Sequence, residues 1–311
     1  MNILFYFLVP LFTGIIATFL LTKFSEKTHF LVDVSEGDVL KIHKKNIPLL
    51  GGLAMLVAWL AGAILVWRPG FHWYIITITA GPLMVFLLGF YDDLNWKHIS
   101  TTKPMQKFIL LLLCALIGSA VLLFAGISFR FLPYYAISLF LGFAYIFVCI
   151  NAVNYQDGMD GLAGGLAIIS FLGFSLLSVV AYNGFTLMIS IIALGGVTAF
   201  LCFNFPPAKI FMGDSGAYLL GFILTLDAMM FSKPYNIFSI IGPVFIIGLP
   251  IFDGVFTNIR RLATRKSIFL GDRSHMYDKF LQKGYSTRKT LAMCYALQIV
   301  LVIAGVVIYK L

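Results

Sequence analysis

The chain has few carboxylates, and they fall in clusters that could do chemistry. Asp92 and Asp93 are adjacent in GFYDDLNW. Adjacent carboxylates at a low-dielectric boundary repel, so at least one holds its proton unusually well unless a cation lies near. Such a pair either binds Mg2+ or lends one member as a base toward a phosphate-bearing acceptor; the plain alternative is two solvated loop acids. Residues 151–165, NAVNYQDGMDGLAGG, set Asn151, Asn154, Asp157 and Asp160 three apart, so successive members are neighbours on a helix. The glycines at 158, 161, 164 and 165 let backbone approach a ligand or another helix closely. Helix packing explains those glycines, but not the two carboxylates and two amides beside them.

Residues 203–222, FNFPPAKIFMGDSGAYLLGF, form the third cluster. Pro206 and Pro207 block a helix, Lys209 offers a point charge, and Gly213-Asp214-Ser215-Gly216 opens the next apolar run. Asp214 is placed either to cap that run as a helix or to help hold a metal-bound diphosphate at its N-terminus. In residues 250–284, Asp253 is followed by Arg260, Arg261, Arg265, Lys266, Arg273 and His275, a set suited to diphosphate and sugar. Singly, Arg260, Arg261, Arg265 and Lys266 also read as ordinary charge flanking a membrane span; His275, within DRSH, is the stronger candidate. A fifth cluster at 41–52, KIHKKNIPLLGG, sets Lys41, His43, Lys44 and Lys45 before Pro48 and Gly51-Gly52. It suits phosphate binding and lipid head-group contact equally.

The elements that position these clusters follow from composition. Of 311 residues, 60% are apolar and 11% charged, with a mean hydropathy of +0.97. A soluble domain carries about 25% charged residues. Apolar runs of roughly 17 to 20 residues recur along the chain, and a helix crossing the hydrocarbon core needs roughly 20. The expected fold is an all-α integral membrane protein, a single domain over 1–311 with about ten membrane helices. The spans are 3–21, 49–67, 73–90, 106–124, 132–150, 162–181, 185–203, 216–232, 236–252 and 290–308. Part of 253–289 is expected as an amphipathic surface helix. The first run has no Lys or Arg before it and Lys23 just after it, which is not the order of a cleavable signal. It is read as a retained span with its N-terminus outside.

With that orientation, segments 22–48, 91–105, 151–161, 204–215 and 253–289 are cytoplasmic. Every Lys and Arg except Arg68, Arg130, Lys233 and Lys310 then lies in them or, for Lys107, at a span edge. This is the asymmetry of the positive-inside rule. Every Asp and Glu except Asp227 lies there too, although that rule says little about acids. Chemistry is therefore expected at the cytoplasmic membrane surface. Asp227, inside the eighth span, is a functional candidate by position, but it reads better as a protonated or helix-bonded carboxyl. The net charge of +9 is explained by this topology and by anionic head groups, not by nucleic acid. Cys114, Cys149, Cys202 and Cys294 lie in apolar runs without paired spacing, so neither disulfides nor zinc are expected.

Together the clusters resemble the polyprenyl-phosphate N-acetylhexosamine-1-phosphate transferase superfamily, glycosyltransferase family 4. The resemblance runs from about Lys41 to Gly284. It rests on the Asp-Asp pair, the Asn-x-x-Asp-Gly-x-Asp-Gly-Leu-Ala segment and Pro-Ala-Lys-Ile-Phe-Met-Gly-Asp-Ser-Gly, in that order on alternate loops. It implies transfer of a sugar 1-phosphate from a UDP-N-acetylhexosamine to undecaprenyl phosphate, with UMP released. It also implies Mg2+, which Mn2+ can replace, held by Asp214 with Asp93, and catalysis by Asp92, Asp93, Asp157 and His275. Substrate contacts are implied at Asn154, Asp160, Asn204 and Phe211, with Asp157 and His275 also near the nucleotide. Lys44, Lys45, Lys209 and Arg273 are the basic candidates for phosphate. The implied setting is the bacterial inner membrane, multi-pass, with the site facing the cytoplasm; the bilayer is a partner, and a homodimer is compatible with the pattern.

One departure bears on the donor. The muramoyl-pentapeptide branch carries a run of histidines in the last cytoplasmic loop, and many N-acetylglucosamine-1-phosphate enzymes carry His-x-His-His. This chain reads His275-Met276-Tyr277-Asp278, which resembles the N-acetylglucosamine type better. Another UDP-N-acetylhexosamine donor stays open, because a hydroxyl epimer is distinguished by a few hydrogen bonds. Direct attack by the acceptor phosphate is preferred over a two-step route through an aspartyl-phosphate. The rival of another class is a transporter or flippase, which would work through Asp227 rather than the loop carboxylates.

Overall fold

Long apolar runs punctuated by Gly, Pro and charge satisfy their backbone groups as helices, the form a bilayer permits. The computed structural model describes residues 2–33, 46–67, 72–96, 104–129, 134–265 and 273–311. Its helices are α1 (Ile3–Thr28), α2 (Gly51–Val66), α3 (His72–Trp96), α4 (Pro104–Phe124), α5 (Tyr135–Gln156), α6 (Leu162–Val180), α7 (Gly184–Asn204), α8 (Gly213–Met229), α9 (Phe238–Ile247), α10 (Leu249–Ala263), α11 (Met276–Gln282) and α12 (Thr287–Tyr309). The only sheet among the described residues pairs β1 (Val32–Asp33) with β2 (Ile47–Pro48), antiparallel.

Nine of the ten expected spans each coincide with a helix and 236–252 is divided between α9 and α10, so the count of about ten is met only approximately. Six described helices are long and apolar enough to cross a bilayer, and α9 with α10 makes a seventh if the bent pair is one span. The apolar α2 has 16 residues and α8 has 17. The protein is a multi-pass membrane protein. Accordingly Phe5, Phe12, Ile16 and Phe19 of α1, and Val300, Ile303 and Val307 of α12, are exposed large apolar side chains. In water such surfaces would signal a partner; here they face lipid.

The centre of the bundle is α8, whose residues are all buried except Asp214. It packs against α2, α3 and α5, and small residues set the distance of approach. A Cβ on Gly52 of α2 would run into the backbone of Gly216, and one on Gly89 of α3 would come within 2.7 Å of the Ser215 Cα. Asp227, deep in α8, accepts a hydrogen bond from Ser190 Oγ of α7 at 2.8 Å, so it serves as a helix-to-helix tie.

The ninth span departs from expectation. It stops at Gly248 (φ +49°), and α10 leaves at 89°. Gln298 of α12, fully buried, satisfies the broken backbone: its Nε2 donates to Ile246 O (2.7 Å) and Ile247 O (3.2 Å), and its Oε1 accepts from Leu249 N (2.8 Å). The expected amphipathic helix is α10. It turns Phe256, Ile259 and Leu262 outward and buries Asp253, Thr257 and Arg261.

Candidate active site

The acidic motifs meet where α3, α5 and α8 share one end of the bundle. Gly213 takes a φ of +73°, and a Cβ there would stand 2.6 Å from Asp93 Oδ2. The turn thus delivers the start of α8 onto the buried Asp93 carboxylate. Asp93 Oδ1 accepts from Asp214 N and its Oδ2 from Ser215 N, both at 2.9 Å. No side chain at Met212 caps α8; Asp93 caps it from α3, satisfying two of the orphan donors of a helix start.

Held this way, Asp214 points its carboxylate at α4 and α5. Lys107 Nζ of α4 donates to Asp214 Oδ2 at 2.9 Å and lies 3.6 Å from Asp92 Oδ2. Asn154 Nδ2 of α5 donates to Asp214 Oδ1 at 2.6 Å. Asp92, beyond the apolar part of α3, also accepts from Tyr218 OH at 2.7 Å. Burial, and then the charge of Asp214, push the Asp92 carboxyl up to about 6, against the pull of Lys107 and the Tyr218 hydroxyl. Two carboxylates thus share one ammonium, an arrangement that can exchange a cation or receive a phosphate.

The neighbouring loops are stitched to this centre. Asn204 Oδ1 accepts from Gly161 N (2.9 Å) and its Nδ2 donates to Ile210 O (2.8 Å). Asp160 Oδ2 accepts from Ala208 N at 2.9 Å. Both side chains therefore tie the 151–165 segment to the 203–212 segment. Phe211 pairs by backbone with Pro48 and Gly51, at 2.8 and 2.9 Å, which brings the start of α2 alongside. Asp157 ends α5, half-buried, and Lys209 is exposed.

A second set lies on α10 and the segment before α11. Asp253 Oδ2 stands 2.8 Å from His275 Nδ1 and accepts from Gln156 Nε2 at 2.9 Å, while Oδ1 accepts from Met276 N at 2.9 Å. Burial works against the Asp253 charge, but the His275 bond and charge, the Met276 N–H and the Gln156 amide outweigh it, so its carboxyl is held below the usual range. Tyr155 and Tyr277 flank the His275 ring, at 5.0 and 5.9 Å between centroids. Gln156 and Tyr155 belong to the Asn151–Asp160 motif, so this set adjoins the second cluster. Arg273 is exposed.

Of the residues singled out in the sequence, Asp92, Asp93, Asn154 and Asp214 are gathered by direct bonds, and Asp160, Asn204 and Phe211 organise the adjoining loops. Lys44 and Lys45, with Lys41 and His43, lie outside the described residues. Sequence reasoning missed Lys107, Tyr218, Gln156 and Gln298, and left Asp253 without a role. Lys107 was legible as a lone cation at a span edge, but charge there is also what topology alone predicts. Tyr218 and Gln298 are single polar residues in apolar runs, and Gln156 is one polar residue among many in its motif; the partners of all three come from distant segments.

The comparisons with known proteins agree with this geometry. Residues 75–232 match the model of glycosyl transferase family 4. A Bacillus subtilis (strain 168) protein named "Probable undecaprenyl-phosphate N-acetylglucosaminyl 1-phosphate transferase" is 31% identical, over 97% of this chain and 84% of its own. The "Decaprenyl-phosphate N-acetylglucosaminephosphotransferase" of Mycobacterium tuberculosis (strain ATCC 25618 / H37Rv) is 28% identical over 82% of this chain and 70% of its own. The "Phospho-N-acetylmuramoyl-pentapeptide-transferase" of Wolbachia pipientis wMel is 34% identical over 66% of each. The matched region spans Asp92 to Asp214, so both the bonded carboxylate centre and the family model locate the same part of the molecule, and the chain belongs to glycosyl transferase family 4.

Proposed function

We propose that this chain transfers N-acetylglucosamine 1-phosphate from its UDP donor to undecaprenyl phosphate, giving the undecaprenyl-diphosphate sugar and UMP. One helix carries the reading. At its start, Lys107 of α4 lies between Asp92 and Asp214. From Ile109 onward the same helix lines an apolar groove with α5, of about 500 Å³, bordered by Ile109, Leu113, Leu116, Leu139, Phe140 and Phe143. An isoprenoid tail suits the groove, and because Ile109 lies on the face of α4 opposite Lys107, its phosphate would round the start of α4 to reach the charged end. The names of the Bacillus and Mycobacterium relatives pair a polyprenyl phosphate with N-acetylglucosamine phosphate, and the single His275 in its loop favours that donor over the peptide-bearing sugar.

The donor set fits Mg2+. Asp92 and Asp214, with the Asn154 amide beside them, are hard oxygen-bearing groups, and Mg2+ commonly takes one or two carboxylates plus substrate phosphates and water. Among the described residues no group of three or more His, Cys, Asp or Glu is placed to hold a metal ion by itself, so phosphates and water would have to complete the ligation. Mg2+ bound there would offset phosphate charge and stabilise the departing UMP; Mn2+ suits the same oxygen donors. We assign Asp93 to seating α8, and so to aiming Asp214. Lys107 receives phosphate charge. A phosphate monoester has its second pKa near about 6, so the acceptor needs little help from a base and attacks the β-phosphorus directly, with Asp92 assisting.

We also place the site on the cytoplasmic face of the bacterial inner membrane, with the N-terminus outside. The charge distribution supports this; Trp67, Phe124, Tyr134, Tyr182 and Tyr235, exposed aromatics at helix ends away from the acidic centre, suit the opposite membrane interface. The test is UMP release by the purified full chain in detergent, with Mg2+, undecaprenyl phosphate and a panel of UDP-N-acetylhexosamines. The expected result is lipid-dependent release from UDP-N-acetylglucosamine, abolished by chelation and lowered by about a thousandfold in Asp214→Ala. Folded protein that releases no UMP from any donor overturns the reading.

A further inference from the structure

Asp253 belongs to none of the motifs that carry the family resemblance, yet three donors converge on it. It sits one turn past the 89° break between α9 and α10, in a helix start that Gln298 braces from α12. Its two oxygens take the Gln156 amide, the Met276 N–H and the His275 ring, all at 2.8 to 2.9 Å. Both side chains of the Asp253–His275 pair are more than nine-tenths buried. An ionised carboxylate can only accept, so the proton in the Asp253–His275 bond belongs to the imidazole. Nδ1 therefore carries a hydrogen whether the ring is neutral or charged.

The rest of the ring is equally constrained. Tyr277 stacks on it with planes 3° apart, and Tyr155 lies against it at 34°. The Met276 N–H, anchored on the same carboxylate, fixes the backbone next to His275 and starts α11. With Nδ1 committed to Asp253, Nε2 is the ring nitrogen left to meet a substrate.

We propose that Asp253 is the positioning residue for His275, fixing the imidazole as its Nδ1–H form and turning Nε2 toward the phosphate or sugar of the nucleotide donor. The proposal rests on the transferase reading for its substrate, but not for its geometry. Asp253 acts through His275 and touches no reacting atom. Its carboxylate is to the imidazole what an orienting carboxylate is to a catalytic histidine in general: it selects the tautomer and the direction of the ring.

Two measurements test it. First, kcat and KM for UMP release are taken for the full chain, Asp253→Asn, His275→Asn and the double variant. Asp253→Asn is expected to lose at least about tenfold in kcat/KM for the nucleotide sugar, with the KM for undecaprenyl phosphate unchanged. The double variant is expected to match His275→Asn alone, because one unit has been removed once. Losses that multiply, or equal damage to both substrates' KM, make Asp253 merely structural and overturn the proposal. Second, histidine labelled with 15N in the otherwise unaltered protein gives the tautomer by NMR, with the His275 signal assigned by its absence in His275→Asn. Protonated Nδ1 with bare Nε2 in the neutral ring is the expected signature; protonated Nε2 refutes the assignment. This second readout needs neither turnover nor a folded Asp253 variant. A chain that shows the signature but releases no UMP loses its transferase reading, not this one.

Discussion

Asp92 and Asp93 are neighbours in sequence with divided duties. Asp93 spends both oxygens on the backbone N–H groups of Asp214 and Ser215, while Asp92 faces Tyr218 and Lys107. An amide at position 93 keeps one acceptor but turns an NH2 toward a backbone N–H, donor against donor. Asp93→Asn should therefore destabilise the fold, by about 1–3 kcal/mol for a buried donor left unmatched, and lower turnover because Asp214 is no longer aimed. Asp92→Asn keeps the Tyr218 contact and relieves repulsion with Asp214, so its melting temperature should stay near that of the parent while turnover drops by about a hundredfold. Melting curves and UMP release on the two variants decide it. Equal loss of stability in both would mean that the pair is simply a capping motif.

At the scale of elements, the break between α9 and α10 is built rather than incidental. Removing the Gln298 amide leaves Ile246 O, Ile247 O and Leu249 N without their partner in a buried place, and each such group costs about 1–3 kcal/mol. Gln298→Leu should accordingly lower the melting temperature clearly. Gly184→Ala at the start of α7, where a Cβ meets nothing, should leave it unchanged or raise it slightly, since Ala is the better helix former. If both variants melt with the parent, the break needs no brace. The same pair explains what the sequence could convey. Apolar length revealed most of the helices, because a bilayer demands a run of fixed length, though not the break in the ninth, and the motif loops drew out Asp92, Asn154 and Asp214 because several polar residues recur together. The direction of α10 was illegible: Gly248-Leu249-Pro250 reads as a span end, and the glutamine that holds the turn lies far along the chain in α12. Lys107 and Tyr218 were hidden likewise, since a single polar residue in an apolar run acquires meaning only from the helix packed beside it, and Gln156 was hidden among the other polar residues of its motif.

For the whole molecule, the question is how a lipid acceptor and a water-soluble donor reach one centre. Lys107 and Ile109 stand two residues apart near the start of α4 and so on opposite faces of it, one bonded to Asp214 inside the bundle and the other bordering the apolar groove outside. The groove faces outward, with Ile109, Leu113 and Phe140 exposed to lipid, so a membrane-borne tail can enter sideways without leaving hydrocarbon. On the proposed reading the water-soluble donor comes instead from the side of the loops that carry His275 and the 203–212 segment. Filling the groove should therefore separate the two substrates. Leu113→Trp places an indole where the tail would lie, on a residue that already faces lipid, so folding is little affected. It is expected to raise the KM for undecaprenyl phosphate by about tenfold, the scale of about two lost methylene contacts in all, and to leave the KM for the nucleotide sugar unchanged. Shortening the acceptor should narrow the gap between variant and parent, because a short isoprenoid reaches less far past Ile109. A variant that raises both KM values, or neither, would place the tail on another face of the bundle and detach the groove from the reaction.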